Sequence, residues 1–187
     1  LSNIMNVVIT GLGGSAIGGD LIRMLAINMA QIPIIVNRDY TLPAFVDERT
    51  LVIASSYSGN TEETLAAYEH AKSKPAKIIV ITTGGELKRK AEEDEIPYIT
   101  IPGGLPPRAA LGYSFFPIFV LFKELGIGFG RENVEKAIAL LKETREQLNE
   151  RVPENDNPAK QLARKIYGKI PVVYGSSNLT DVIAVRW

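Results

Sequence analysis

Three stretches of this chain gather side chains and backbone groups suited to holding an anion. The richest is Ser55-Ser56-Tyr57-Ser58-Gly59-Asn60-Thr61-Glu62-Glu63-Thr64, which sets the hydroxyls of Ser56, Ser58 and Thr61 around one glycine. Where such a loop opens a helix, hydroxyls and free backbone N–H groups together form a phosphate cradle that needs no cationic side chain. Capping by Ser58 or Asn60, with Glu63 closing a capping box, uses one such side chain and leaves the rest unexplained. The second stretch is Gly11-Leu12-Gly13-Gly14-Ser15-Ala16-Ile17-Gly18-Gly19. Its glycines allow close backbone approach, and a helix starting near Ser15 turns its positive end toward a bound anion. The third is Pro106-Pro107-Arg108-Ala109-Ala110-Leu111, where two prolines fix the backbone before a lone arginine. A cation at a helix start is unfavourable beside the dipole unless an anion offsets it.

The elements that must position these loops are legible in hydrophobic runs. Asn6–Thr10, Pro33–Val36, Leu51–Ala54, Ile78–Ile81 and Tyr98–Ile101 are short, rich in β-branched residues and apolar on both faces. That is the pattern of strands covered on both sides. Helical periodicity between them predicts helices over Ala16–Ala30, Glu62–Ser73 and Leu87–Glu93. Strand–helix alternation implies right-handed crossovers and a parallel sheet. The expected fold class is therefore α/β, a doubly wound, flavodoxin-like sheet of five parallel strands with helices on both faces. In such a sheet ligands bind at the carboxyl ends of the strands, where all three loops fall.

Beyond Ile101 a strandless Pro/Gly loop leads into an apolar helix, about Ala109–Leu125. A longer helix, Glu132–Arg151, has an apolar stripe of Val134, Ile138, Leu141 and Leu148. Val152–Pro158 has a linker's composition, and a helix over Ala159–Tyr167 precedes Ile170-Pro171-Val172-Val173-Tyr174-Gly175. That segment repeats the opening of the chain, a strand closed by glycine and then Ser or Gly and an apolar helix. The expected organisation is a first subdomain over residues 1–150, a linker and helix over 151–169, and the beginning of a second, similar subdomain over 170–187. One strand and half a helix bury no core, so the chain is expected to be part of a longer protein.

Composition narrows the chemistry. The 21 Lys+Arg balance the 21 Asp+Glu, so the basic excess that grips nucleic acid is missing. With 45% hydrophobic and 22% charged residues the chain is globular in composition. Cysteine is absent and histidine occurs once, which removes thiolate nucleophiles and Cys- or His-built metal sites supplied by this chain alone. No apolar run reaches the roughly 20 residues of a membrane span, and the N-terminus lacks a signal-peptide pattern. A soluble, cytoplasmic protein with no metal, cofactor, nucleic-acid or membrane partner is expected. His70 is expected on a solvated helix face, Glu92–Glu95 as a solvated acidic patch, and Trp187 in a core or interface.

Taken together, Gly11-Leu12-Gly13-Gly14-Ser15, Ser56–Thr64, Ile81-Thr82-Thr83-Gly84-Gly85 and Pro107-Arg108-Ala109-Ala110-Leu111 resemble the sugar isomerase (SIS) domain superfamily. More narrowly, they are similar to the archaeal-type bifunctional phosphoglucose/phosphomannose isomerases. The resemblance implies two SIS subdomains per chain, a homodimer, and interconversion of glucose 6-phosphate, and of mannose 6-phosphate, with fructose 6-phosphate through a cis-enediol(ate). It assigns the sugar phosphate to Ser56, Ser58 and Thr61, the sugar to Gly13, Gly14 and Ser15, and stabilisation of the enediolate to Arg108 as the catalytic residue. The family's general-base Glu and ring-opening His match no position here; both motifs fall beyond Trp187. Glu62 and Glu63 do not replace them, because they belong to the helix behind the phosphate loop.

Two other readings stand beside this one. A SIS-type sensor would bind a sugar phosphate without turning it over. A dinucleotide-binding protein would use Gly11-x-Gly13-x-x-Ala16 as its fingerprint, with Asp39 beyond the second strand. Against the last, Asn37-Arg38 stand where an acid should meet the ribose.

Overall fold

The computed structural model describes residues 3–106, 108–127, 132–178 and 180–187; Pro107 of the third loop lies outside the described residues. Five strands, β1 (Asn6–Thr10), β2 (Ile34–Asn37), β3 (Thr50–Ser56), β4 (Lys77–Thr82) and β5 (Tyr98–Thr100), form one sheet in the order β2-β1-β3-β4-β5. Every pairing is parallel, with Ile9 opposite both Val36 and Ile53, and Ala54 opposite Val80. The chain is therefore α/β and doubly wound, as its alternating runs predict.

Strand periodicity divides the core into two layers. Val7, Ile9, Leu51, Ile53, Ile79 and Ile81 face one side, where they pack with Ile22 of α1 (Gly13–Ala26) and Ile118 and Phe122 of α4 (Leu111–Glu124). The alternate residues Val8, Val52, Ala54 and Val80 face the other side. There they meet Ala67, Tyr68 and Ala71 of α2 (Glu62–Lys72) and Leu87 and Ala91 of α3 (Gly85–Glu93). β3 is buried along its whole length at the centre of the sheet. Each fully buried aliphatic side chain contributes about 1.5–3 kcal/mol relative to exposure, so this two-sided apolar patterning carries the fold.

Helix α1 begins at Gly13, three residues before the start its sequence predicts. Glycine's poor helix propensity hides that turn, while tertiary packing imposes it. Gly18 and Gly19 are needed for closeness: a Cβ on Gly18 would lie 2.8 Å from Ser114 of α4, and one on Gly19 would lie 2.9 Å from Ile9. Small residues thus let α1 settle against both the sheet and α4.

The second half departs further from expectation. α5 runs Glu132–Gln147, and its side chains Ile138 and Leu141 are exposed, so among the described residues this part of the amphipathic stripe is uncovered. The predicted linker is ordered: a 3₁₀ turn over Glu154–Asp156 leads into Asn157, whose buried side chain caps α6 (Pro158–Ile166) at Ala159 and Lys160. The same Asn157 donates to the Asn149 carbonyl at 3.1 Å, fastening α6 to the end of α5. Ile170–Gly175, expected as a strand, is not one. It pairs with none of the five strands of the sheet, and Ile170 and Tyr174 stand 91% and 90% exposed. A short α7 (Asp181–Arg186) follows, and Trp187 is exposed, not in a core. No helix among the described residues is long and apolar enough to cross a membrane.

Candidate functional site: a cleft at the carboxyl edge of the sheet

From β1 the chain crosses to β2 on one side, while β3, β4 and β5 extend the sheet on the other. The carboxyl ends of β1 and β3 therefore flank the topological switch point, where an open α/β sheet has its natural crevice. The two loops that leave these ends touch. A Cβ on Gly11 would lie 2.7 Å from the Ser55 carbonyl, and the Tyr57 N–H donates to Ser15 Oγ at 3.1 Å. The glycine loop and the hydroxyl loop are one unit.

Within the hydroxyl loop each candidate has a distinct place. Ser56 is buried at the end of β3; its Oγ accepts from the Gly59 N–H at 3.1 Å and shares a 3.0 Å hydrogen bond with Thr61 Oγ1. It props the loop from beneath and does not line the cavity above. Ser58 is exposed at the tip, its Oγ accepting from the Asn60 N–H at 3.2 Å. Gly59 has φ +70°, and a Cβ there would sit 1.8 Å from the Gly84 carbonyl, so no other residue fits this turn. Asn60 caps the neighbouring helix, its Oδ1 accepting from the Glu86 N–H at 2.9 Å, and Thr83 ties back to the Tyr57 carbonyl. The Thr-Thr-Gly-Gly stretch therefore works as a brace for the hydroxyl loop.

Above this unit lies a cavity of about 300 Å³, lined by Leu12, Gly13, Gly14, Ser15, Tyr57, Ser58, Thr61, Ala110 and Ser114. Three helices begin at its wall. α1, α2 and α4 have N-caps at Leu12, Thr61 and Ala110, and none of the three makes a side-chain capping hydrogen bond. The expected cap by Ser58 or Asn60 is not made. α4 spends its Tyr113 N–H on the Ala110 carbonyl at 2.9 Å, and the other N–H groups of the three uncapped first turns turn their positive dipole ends toward one space. Three such ends with adjacent hydroxyls suit a multiply charged oxyanion.

A second cavity, also of about 300 Å³, adjoins the first across Gly13 and Gly14, which line both. Its other walls are Ile17, Arg38, Arg108, Val185 and Arg186. Arg108 stands in the turn ahead of α4, and its Nη1 donates to the Arg186 carbonyl at 3.4 Å while Arg186 Nη2 returns a 2.6 Å bond to the Arg108 carbonyl. Gly13, Gly14, Ser15, Ser58, Thr61 and Arg108 are thus brought into one cleft, with hydroxyls at one end and guanidinium groups at the other. None of the described lining residues is a carboxylate or an imidazole, and they include no group of three or more acidic or histidine ligands suited to a metal.

Sequence reasoning missed Ser114, Tyr57 and Arg38 as lining residues. Ser114 arrives from α4, 53 positions after Thr61, and no local pattern marks it. Asp39, the fingerprint's acid, is held in its own turn: its carboxylate accepts from the Tyr40 N–H at 2.7 Å and its carbonyl from Asn37 Nδ2 at 3.0 Å. His70 is half-buried, and its Nδ1 accepts from the Leu42 N–H at 3.0 Å. It anchors the loop after β2 and is no solvated spacer. The acidic run is also engaged: Asp94 accepts from the buried Tyr68 hydroxyl at 2.7 Å and pairs with Lys72 at 2.6 Å.

Comparison with known proteins agrees with this architecture. Residues 1–102 match the SIS domain model, and residues 155–187 match the model of the bacterial phospho-glucose isomerase C-terminal SIS domain. The chain is 58% identical over 186 residues to the bifunctional phosphoglucose/phosphomannose isomerase of Caldicellulosiruptor bescii, covering 99% of itself and 55% of that protein. It is 44% identical to the protein of the same name from Thermoplasma acidophilum, covering 97% of itself and 53% of the relative. The fold matches the crystal structure of tagatose-6-phosphate ketose/aldose isomerase from Escherichia coli with a TM-score of 0.65 at 19% identity, over 99% of this chain and 52% of that one. The chain thus spans about half the length of the curated relatives it matches. It belongs to the SIS domain family.

Proposed function

We propose that the intact protein is an aldose–ketose isomerase that interconverts glucose 6-phosphate, and mannose 6-phosphate, with fructose 6-phosphate. The observation that carries this reading is the cleft itself: three uncapped helix N-termini and the hydroxyls of Ser58 and Thr61 at one end, Arg108 at the other, and the bare backbone of Gly13 and Gly14 between them. The names of the relatives at 58% and 44% identity support the same substrate class.

In this reading the phosphate sits over Ser58 and Thr61, where it needs hydroxyl and amide donors and no counter-cation. Ser56 and Ser15 hold the two loops in register beneath it. The sugar lies over Gly13 and Gly14, and Arg108 faces the oxygens on C1 and C2. Moving a proton between those carbons develops negative charge on an enediolate, which a fixed guanidinium stabilises. The proton itself needs a general base near neutrality. The residues lining the cleft supply none, so the base comes from another part of the protein. Residues 155–187 are read as the opening of a second SIS unit; Arg186 already meets Arg108 across the cleft, which is where that unit would close the site.

A homodimer belongs to the same reading. Tyr113, Phe116 and Val120 expose an apolar face of α4 beside the edge strand β5, and contiguous apolar surface of this kind marks an association site. A cytoplasmic location belongs to it too, since the substrates are charged sugar phosphates. A coupled assay on the intact protein with fructose, glucose and mannose 6-phosphates tests the proposal. Turnover of fructose 6-phosphate is expected; saturable binding without turnover would make the protein a sensor instead.

A further inference from the structure

Arg38 occupies a position that neither the phosphate loops nor the enediolate site explains. It follows β2 directly, at the carboxyl edge of the sheet, where the register sets Asn37 beside Thr10 of β1. Its side chain is 41% exposed, yet it is not loose: Nη2 is ion-paired to Oδ2 of Asp20, whose side chain is only 12% exposed on α1. Asp20 lies two turns into α1, on the helix whose first residues form the floor of the cleft. Burying a carboxylate at that point costs desolvation, and a pair of this kind adds little to stability. What the pair does supply is orientation, because Asp20 fixes one edge of a planar fork that carries five N–H donors. Arg38 lines the second cavity together with Arg108.

The residues shared by that cavity and the phosphate end carry no side chain. Gly13 and Gly14 line both cavities, and the space beside Gly13 is open to 4 Å. A ligand anchored by its phosphate at Ser58 and Thr61 reaches Arg38 only if its carbon chain is long enough to cross the two glycines.

We propose that Arg38 is a substrate-binding residue that selects phosphosugars by length, donating hydrogen bonds to hydroxyl oxygens at the end of the sugar away from the phosphate, and that Asp20 is the positioning residue that aims it. This deepens the sugar-phosphate reading of the cleft and rests on it. Short phosphorylated fragments and inorganic phosphate occupy the hydroxyl end alone and never meet Arg38.

The test is a length series measured by calorimetry on the intact protein: inorganic phosphate, glycerol 3-phosphate and fructose 6-phosphate, against wild type, Arg38→Ala, Arg38→Lys and Asp20→Asn, with thermal melts of each. Arg38→Ala is expected to weaken fructose 6-phosphate about 10- to 100-fold, the usual loss for hydrogen bonds from a charged group, while inorganic phosphate stays within about two-fold. Arg38→Lys is expected to recover only part of the loss, because a point charge does not reproduce the fork. Asp20→Asn keeps the arginine but loosens it, and is expected to weaken the hexose phosphate selectively by a smaller factor. Two results overturn the proposal alone: variants that bind fructose 6-phosphate like wild type, or variants that lose all three ligands by the same factor, which is what a merely structural pair would give. Wild-type protein that binds neither phosphate nor hexose phosphate would overturn the reading of the cleft, and this proposal with it.

Discussion

Ser15 and Tyr57 lie 42 positions apart in the chain, and the Tyr57 N–H donates to Ser15 Oγ at 3.1 Å. The bond joins the first turn of α1 to the hydroxyl loop after β3, so the amides of one and the hydroxyls of the other face a single space. Ser15 is buried and its oxygen accepts a bond from inside the protein, which makes it a strut of the cleft as well as part of its wall.

Ser15→Ala therefore leaves a backbone N–H without its acceptor. Affinity for fructose 6-phosphate is expected to fall about ten-fold, and stability by about 1–2 kcal/mol. Calorimetric titration and urea unfolding measure the two effects separately. Unchanged affinity would show that the loops hold their register without this bond.

Gly59→Ala should be far more severe. The residue has φ +70°, and its new Cβ would meet the Gly84 carbonyl at 1.8 Å. Strain of the backbone alone costs about 1–3 kcal/mol, and the collision adds to it. The substitution is expected to abolish hexose phosphate binding and to lower stability by more than about 2 kcal/mol. Near-native binding and stability would contradict the turn described for this loop.

The strands were legible because a sheet covered on both faces demands unbroken β-branched runs, and Val7-Val8-Ile9 or Leu51-Val52-Ile53 can serve little else. The hydroxyl loop was legible because three hydroxyls around Gly59 exceed what a helix cap consumes. What sequence hid was tertiary. Gly13 and Gly14 look like loop residues and are helical, Ser114 enters the cleft from a helix with no polar signature, and Arg38 gains its meaning only from Asp20 on another element. The segment Ile170–Tyr174 has strand composition but pairs with no strand of the sheet, and composition alone does not make a ladder.

His70 offers a check on one such hidden contact. Its Nδ1 accepts from the Leu42 N–H, and Leu42 and Val46 are both buried under the loop it anchors. His70→Ala should raise the hydrogen-exchange rate of the Leu42 amide by at least about ten-fold while leaving the amides of β3 protected. Equal protection in both proteins would show that the loop holds without the imidazole.

Acid should act where α2 meets the end of α3. Lys72 and the Tyr68 hydroxyl, both bonded to Asp94, hold its carboxyl below the usual carboxylate range, and Lys90 does the same for Glu69. A depressed folded-state value means stability that is complete above the unfolded carboxylate pKa and is lost as pH falls through the folded one. Tyr68 is displaced the other way: burial first, then its bond to Asp94, pushes its ionisation up, so its share persists below the ordinary tyrosine pKa and fades only at higher pH. Asp94→Asn should therefore be less stable than wild type at pH 7, with the gap closing as pH drops below about 4. A gap that stays constant across that range would contradict the ion pair.

In the proposed function a hexose phosphate lies across Gly13 and Gly14, with its phosphate at the first turns of α1 and α2. The most direct measurement is a titration of fructose 6-phosphate into isotopically labelled protein, followed by backbone amide NMR. The amides of Gly14, Ser15, Ser58 and Thr61 to Thr64 should shift together and saturate, with α3 and α5 undisturbed and NAD producing no such response. Shifts confined to any other surface, or none at these residues, would contradict hexose phosphate binding in this cleft.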